Sequence, residues 1–75
     1  MEKTKFLEVI ADQFEQTDKS LIVENCIFKE LQEWDSMVAL CIISALDDEF
    51  GIIIGGNEIN QSKTLLDLYL LIQNR

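Results

Sequence analysis

Asp35 and Ser36 are the residues best placed to do chemistry, a carboxylate and a hydroxyl side by side where an apolar pattern of helical period begins. Asp35 is a good N-cap, with its carboxylate placed to accept from the exposed amides of a first helical turn. The Ser36 hydroxyl then stands where free amides and the positive end of the helix dipole favour a phosphate. Taken alone, a serine after an aspartate is simply the edge of a helix cap. The two cysteines, Cys26 and Cys41, form no C-x-x-C pair, and the chain has no histidine to work with them. A zinc site would lack ligands. Two free, mostly buried thiols in a reducing cytoplasm are expected. No general base is positioned by the sequence and no glycine-rich phosphate loop is present, so no enzyme site is visible.

The elements that must position Asp35 and Ser36 read as helices. From about Glu2 to Phe14, Phe6, Leu7, Ile10 and Phe14 fall at helical spacing. The polar run Gln16-Thr17-Asp18-Lys19-Ser20 ends that helix. Residues 20–34 hold Leu21, Ile22, Val23, Ile27, Phe28 and Leu31 with no period of 2 or of 3.6. They read as a long connection tucked against the helices, and a connection of that length tends to be functional. The strongest helix runs from Ser36 to Phe50. Leu40, Ile43, Leu46 and Phe50 form its stripe, Ala39 and Ile42 extend it, and Gly51 supplies the C-cap. Ile52-Ile53-Ile54 has strand composition but no partner strand, so it reads as a loop that drops isoleucines into the core. Asn57 to Gln61 forms a single helical turn. Thr64 caps a last helix, with Asp67 at capping-box spacing.

Composition sets the limits. The chain has 75 residues, 48% of them apolar, with three glycines and no proline. That is one domain and one core, with little left over to build a deep cleft. The net charge is −8. Residues 21–50 carry seven acids and one lysine, so the excess is concentrated in the middle of the chain. Such a surface repels nucleic acid and anionic membranes and suits a basic protein partner. Asp47, Asp48 and Glu49 sit where the helix dipole disfavours negative charge, which reads either as a docking surface or as one turn of solvated acids. The N-terminus shows no signal peptide and no apolar run long enough to span a bilayer, so a cytoplasmic soluble protein is the expectation.

The segment Glu33-Trp34-Asp35-Ser36-Met37 carries a resemblance. An Asp-Ser-Met triplet opening an apolar helix near the middle of a chain of this length resembles the acyl carrier protein family. The similarity covers nearly the whole chain: the first amphipathic helix, the long loop with Phe28 and Leu31, Glu49-Phe50-Gly51-Ile52, Glu58-Ile59, and Thr64 at the start of the last helix. The resemblance implies that a phosphopantetheinyl transferase joins 4′-phosphopantetheine from coenzyme A to Ser36, while Asp35 helps that enzyme hold magnesium. The arm's thiol would carry cargo as a thioester. The family often has a glycine two residues before the aspartate, where this chain has Gln32-Glu33-Trp34. Its early acids on the exposed helix face are replaced by Val38 and Cys41, with Ser44 following. These departures lead away from the general fatty-acid carrier, and Asp-Ser-Met also resembles the D-alanyl carriers of teichoic acid modification.

The expected fold is therefore all-α, a four-helix bundle in a single domain, residues 1–75, with a long first loop and a short third helix. Its core is expected to comprise Phe6, Ile10, Phe14, Phe28, Leu31, Ile42, Ile43, Leu46, Phe50, Ile54, Ile59, Leu65, Leu68 and Ile72. The expected function is carriage of an acyl or aminoacyl group, not catalysis, with Ser36 as attachment site. Met37, Val38, Cys41, Asp47 and Asp48 are the expected partner contacts. The expected partners are the transferase, a loading ligase or acyltransferase, and a downstream synthase or transferase, met by a monomer without membrane insertion. The alternatives are a D-alanyl or other aminoacyl carrier, and a binding-only helical module that is never modified.

Overall fold

The computed structural model describes residues 1–74. Four helices follow one another: α1 (Lys3–Asp12), α2 (Ser36–Phe50), α3 (Gly56–Gln61) and α4 (Leu65–Gln73). There is no strand among the described residues. α1 packs against both α2 and α4, and α3 packs against α4. Phe6, Phe28, Ile42, Leu46, Leu65 and Leu68 are wholly buried where these elements meet. No helix of the described residues is long and apolar enough to cross a membrane.

α1 ends earlier than its apolar stripe. Gln13 and Phe14 donate to Ile10 and Ala11, three residues back, so the last turn tightens. Phe14 is nonetheless buried. α2 runs from Ser36 to Phe50 as its caps dictate. Gly51 takes the left-handed conformation (φ 66°). Its amide donates to Asp47 and that of Ile52 to Leu46, the paired bonds of a Schellman stop.

The connection from α1 to α2 is irregular but fastened. Two single 3₁₀ turns, Lys19–Leu21 and Phe28–Glu30, fold its apolar residues inward. Ile22 and Phe28 reach the core, whereas Leu21 and Val23 stay exposed. The Asp18 carboxylate accepts from the Ser20 amide at 2.9 Å, which lowers its pKa. The carbonyls of Glu24 and Cys26 accept from the Leu66 and Leu65 amides at 2.8 and 3.1 Å, closing the start of α4.

Three expectations are corrected. Leu40 belongs to no buried stripe: it is 60% exposed, and the core line of α2 is Val38, Ile42 and Leu46. Apolar residues surround α2 almost completely from Val38 to Ile43, so periodicity alone does not choose the inward face. Leu31, Ile43 and Phe50 pack at the edge of the core rather than inside it. Of the three isoleucines after Gly51, Ile54 is buried but Ile53 is 74% exposed. Val9 and Ala11, which broaden the stripe of α1, and Ile22 of the connection are buried as well, and Ser62 joins them without having been expected there, its hydroxyl donating to the Glu58 carbonyl at 2.9 Å.

Candidate functional site at the start of helix α2

Asp35 adopts an extended backbone and turns the chain into α2. Its Oδ1 accepts from the Val38 amide at 2.8 Å. Its carbonyl accepts from Ala39 at 3.1 Å, the first bond of the helix. The amides of Ser36 and Met37 lie ahead of that bond, and none of the described residues accepts from them. Ser36 is exposed at the head of the helix, as is Asp35. A hydroxyl thus stands in solvent beside two open N–H donors at the positive end of a 15-residue helix. A phosphate ester on Ser36 would find those donors waiting, so the residues fit the phosphopantetheine group that the sequence resemblance implies.

Two supports hold this point. Trp34 packs edge-on to Phe28 at 5.2 Å between ring centroids and stacks on Phe14 at 6.3 Å, wedging the approach to Asp35 into the core. Glu33 reaches 16 to 18 residues back along the chain. Its carboxylate accepts from the Thr17 hydroxyl (2.7 Å) and from the amides of Glu15 (2.9 Å) and Gln16 (3.0 Å). These bonds, that of Thr17 foremost, hold its pKa below the ordinary value. The sequence alone gave Glu33 no task, because its three partners are distant in sequence.

The expected contact residues divide. Met37 is 65% exposed, and Cys41, Asp47 and Asp48 are exposed as well. Val38 is not a surface residue: at 8% exposure it packs in the core with Ile42, on the buried side of a helix that packs against α1. Leu40 takes the outward place instead, between Met37 and Ser44 on the helix face. The exposed face of α2 is therefore apolar near Ser36 and acidic near Asp47 and Asp48. The thiols differ too. Cys26 is half-buried, and burial pushes its pKa up, whereas Cys41 is exposed, contrary to the expectation of two buried thiols.

The chain is 33% identical, over all 75 of its residues and 89% of the relative's length, to an acyl carrier protein of Thermosynechococcus vestitus. No family model matches the chain, and no solved structure matches it.

Proposed function

The chain belongs to the acyl carrier protein family, and from that premise we propose that it carries an acyl or aminoacyl group as a thioester on a 4′-phosphopantetheine arm attached to Ser36. The observation that supports this is the solvent-facing hydroxyl at the head of α2, with the Ser36 and Met37 amides open beside it. When bound, the arm supplies a thiol on a long flexible tether. The protein's own residues have simpler tasks. Ser36 Oγ bonds to the phosphorus of coenzyme A that bears pantetheine. The adenosine bisphosphate half leaves, and the hydroxyl proton passes to the transferase. The open amides would receive the phosphate charge, and Asp35 would help the transferase hold its magnesium.

Partners read the exposed face of α2. Met37 and Leu40 offer apolar contacts beside the attachment point, Cys41 lies along the same face, and Asp47 and Asp48 attract a basic surface. Those partners are a phosphopantetheinyl transferase, a ligase or acyltransferase that loads the cargo, and a synthase or transferase that removes it. Work of this kind belongs in the cytoplasm, where coenzyme A is at hand.

Intact-mass measurement tests the reading. After incubation with coenzyme A and a broad-specificity transferase, the protein gains the mass of phosphopantetheine, and Ser36→Ala gains nothing. A gain that survives Ser36→Ala overturns the assignment. Protein isolated from its own host without the arm, where an active transferase is present, leaves the binding-only module in its place.

A further inference from the structure

The approach to α2 has little main-chain support. The Trp34 amide donates to the Leu31 carbonyl at 3.0 Å. From there to the Asp35 carbonyl, which accepts from Ala39, no other main-chain hydrogen bond forms among the described residues. Residues 33–35 are therefore placed by their side chains. Two of these grip the same place. Trp34 stacks on Phe14, and the Glu33 carboxylate accepts from Glu15, Gln16 and Thr17 at 2.7 to 3.0 Å. The end of α1 is thus tied to the start of α2 twice, once by a ring against the core and once by a carboxylate at its rim. Glycine, frequent at this place in the family, has no side chain with which to make the second tie.

Resting on the Ser36 reading, we propose that Glu33 is a positioning residue for attachment: by holding residues 15–17 it fixes the approach to Asp35 and so aims the Ser36 hydroxyl. Glu33 acts through Thr17, whose hydroxyl gives the shortest of its three bonds, and makes no hydrogen bond to Ser36. Without the carboxylate the approach is held by Trp34 alone. The cap bond from Val38 to Asp35 then has a less steady acceptor, and the first turn of α2 is free to fray. The exposed residues that a transferase would read, Met37, Leu40, Asp47 and Asp48, lie further along α2 and do not depend on the tie. Binding should therefore survive while transfer slows, since a reacting group misplaced by ~1 Å can cost about 10²-fold in rate.

The test is the kinetics of attachment with coenzyme A and a broad-specificity transferase, followed by intact mass, with urea unfolding to confirm that each variant is folded in the assay. Glu33→Ala is expected to lower kcat about tenfold and to leave KM for the protein within about twofold, the pattern of an interaction needed only in the transition state. Thr17→Val removes the hydroxyl and keeps the shape; it is expected to lower kcat by a smaller factor, about threefold, because the two amide bonds remain. Adding it to Glu33→Ala is expected to cost nothing more, since the two residues act as one unit. A raised KM with unchanged kcat makes Glu33 a docking contact and overturns the positioning role. Additive losses in the double variant overturn it too, as does a kcat that neither substitution moves. Should Glu33→Ala not fold, Thr17→Val decides alone, and an unchanged kcat there sinks the proposal. Unsubstituted protein that gains no arm, or an arm still gained by Ser36→Ala, removes the attachment reading and this role with it.

Discussion

The starts of α2 and α4 use the same device to opposite ends. Each has an N-cap oxygen that accepts from the amide three residues on: Asp35 Oδ1 from Val38 at 2.8 Å, Thr64 Oγ1 from Asp67 at 3.1 Å. At α4 the remaining donors are all taken. Leu65 and Leu66 donate to the Cys26 and Glu24 carbonyls, and Asp67 Oδ2 accepts from Thr64 and Lys63 at 3.0 and 3.1 Å. Leu65 is wholly buried there. At α2 two donors stay open and the first helical side chain, Ser36, faces solvent. A helix start that is closed on all sides holds a fold together. One left partly open keeps hydrogen-bonding capacity for something not encoded in the chain.

Substitutions can break or sharpen that contrast. The largest effect is expected from Ser36→Ala, which abolishes attachment entirely in an intact-mass assay while moving stability by no more than about 0.5 kcal/mol, as befits an exposed side chain. Trp34→Ala comes next. It removes a half-buried ring from between Phe14 and Phe28 and should cost about 2 kcal/mol in urea unfolding, below the cost for a fully buried aromatic. Thr64→Ala strips the closed start of its cap and should cost about 1 kcal/mol with attachment unaffected. Asp35→Asn separates the two duties of the open start: asparagine caps as well as aspartate, so stability holds within a few tenths of a kcal/mol, yet attachment slows for want of a carboxylate facing magnesium. An equal rate for Asp35→Asn would make Asp35 a cap and nothing more.

The smallest effect is one of pH. Glu33 and Asp67 both have pKa values below the ordinary ones, Glu33 through Thr17 first and Asp67 through the Thr64 amide first. A carboxyl depressed in the folded state stabilises the fold above its unfolded pKa and loses that contribution as pH falls through the folded pKa. Acidification below the usual carboxylate range should therefore release the Glu15, Gln16 and Thr17 bonds beside α2 and the Lys63 and Thr64 bonds at α4. An NMR titration of those amides reads both. Glu33→Gln should abolish the acid-dependent change at residues 15–17 and leave that at Thr64 untouched. A titration unchanged by Glu33→Gln would place the proton elsewhere.

Much of this was legible from the chain alone, for local reasons. Capping oxygens, Gly51 and the apolar spacing of α1 and α4 act within a few residues, so Ser36–Phe50 and the Thr64–Asp67 box could be read directly. The open start of α2 was legible as Asp35-Ser36 for the same reason. What stayed hidden depends on contacts distant in sequence. The inward turn of Val38 and outward turn of Leu40 follow from where the rest of the core, α1 foremost, meets α2, because the helix itself is apolar nearly all round. The 3₁₀ turns of the connection are too short to leave a period. The bonds of Glu33 form only once residues from two separate segments are brought side by side.

The fastening of the connection to α4 has a consequence for how this chain can change. Its acceptors are the main-chain carbonyls of Glu24 and Cys26 and its donors the main-chain amides of Leu65 and Leu66. Exchanging the side chain of Glu24 or Cys26 leaves those carbonyls in place, so substitutions there can drift without unpinning α4. Proline at position 65 or 66 would remove a donor, and it is the substitution such drift must avoid.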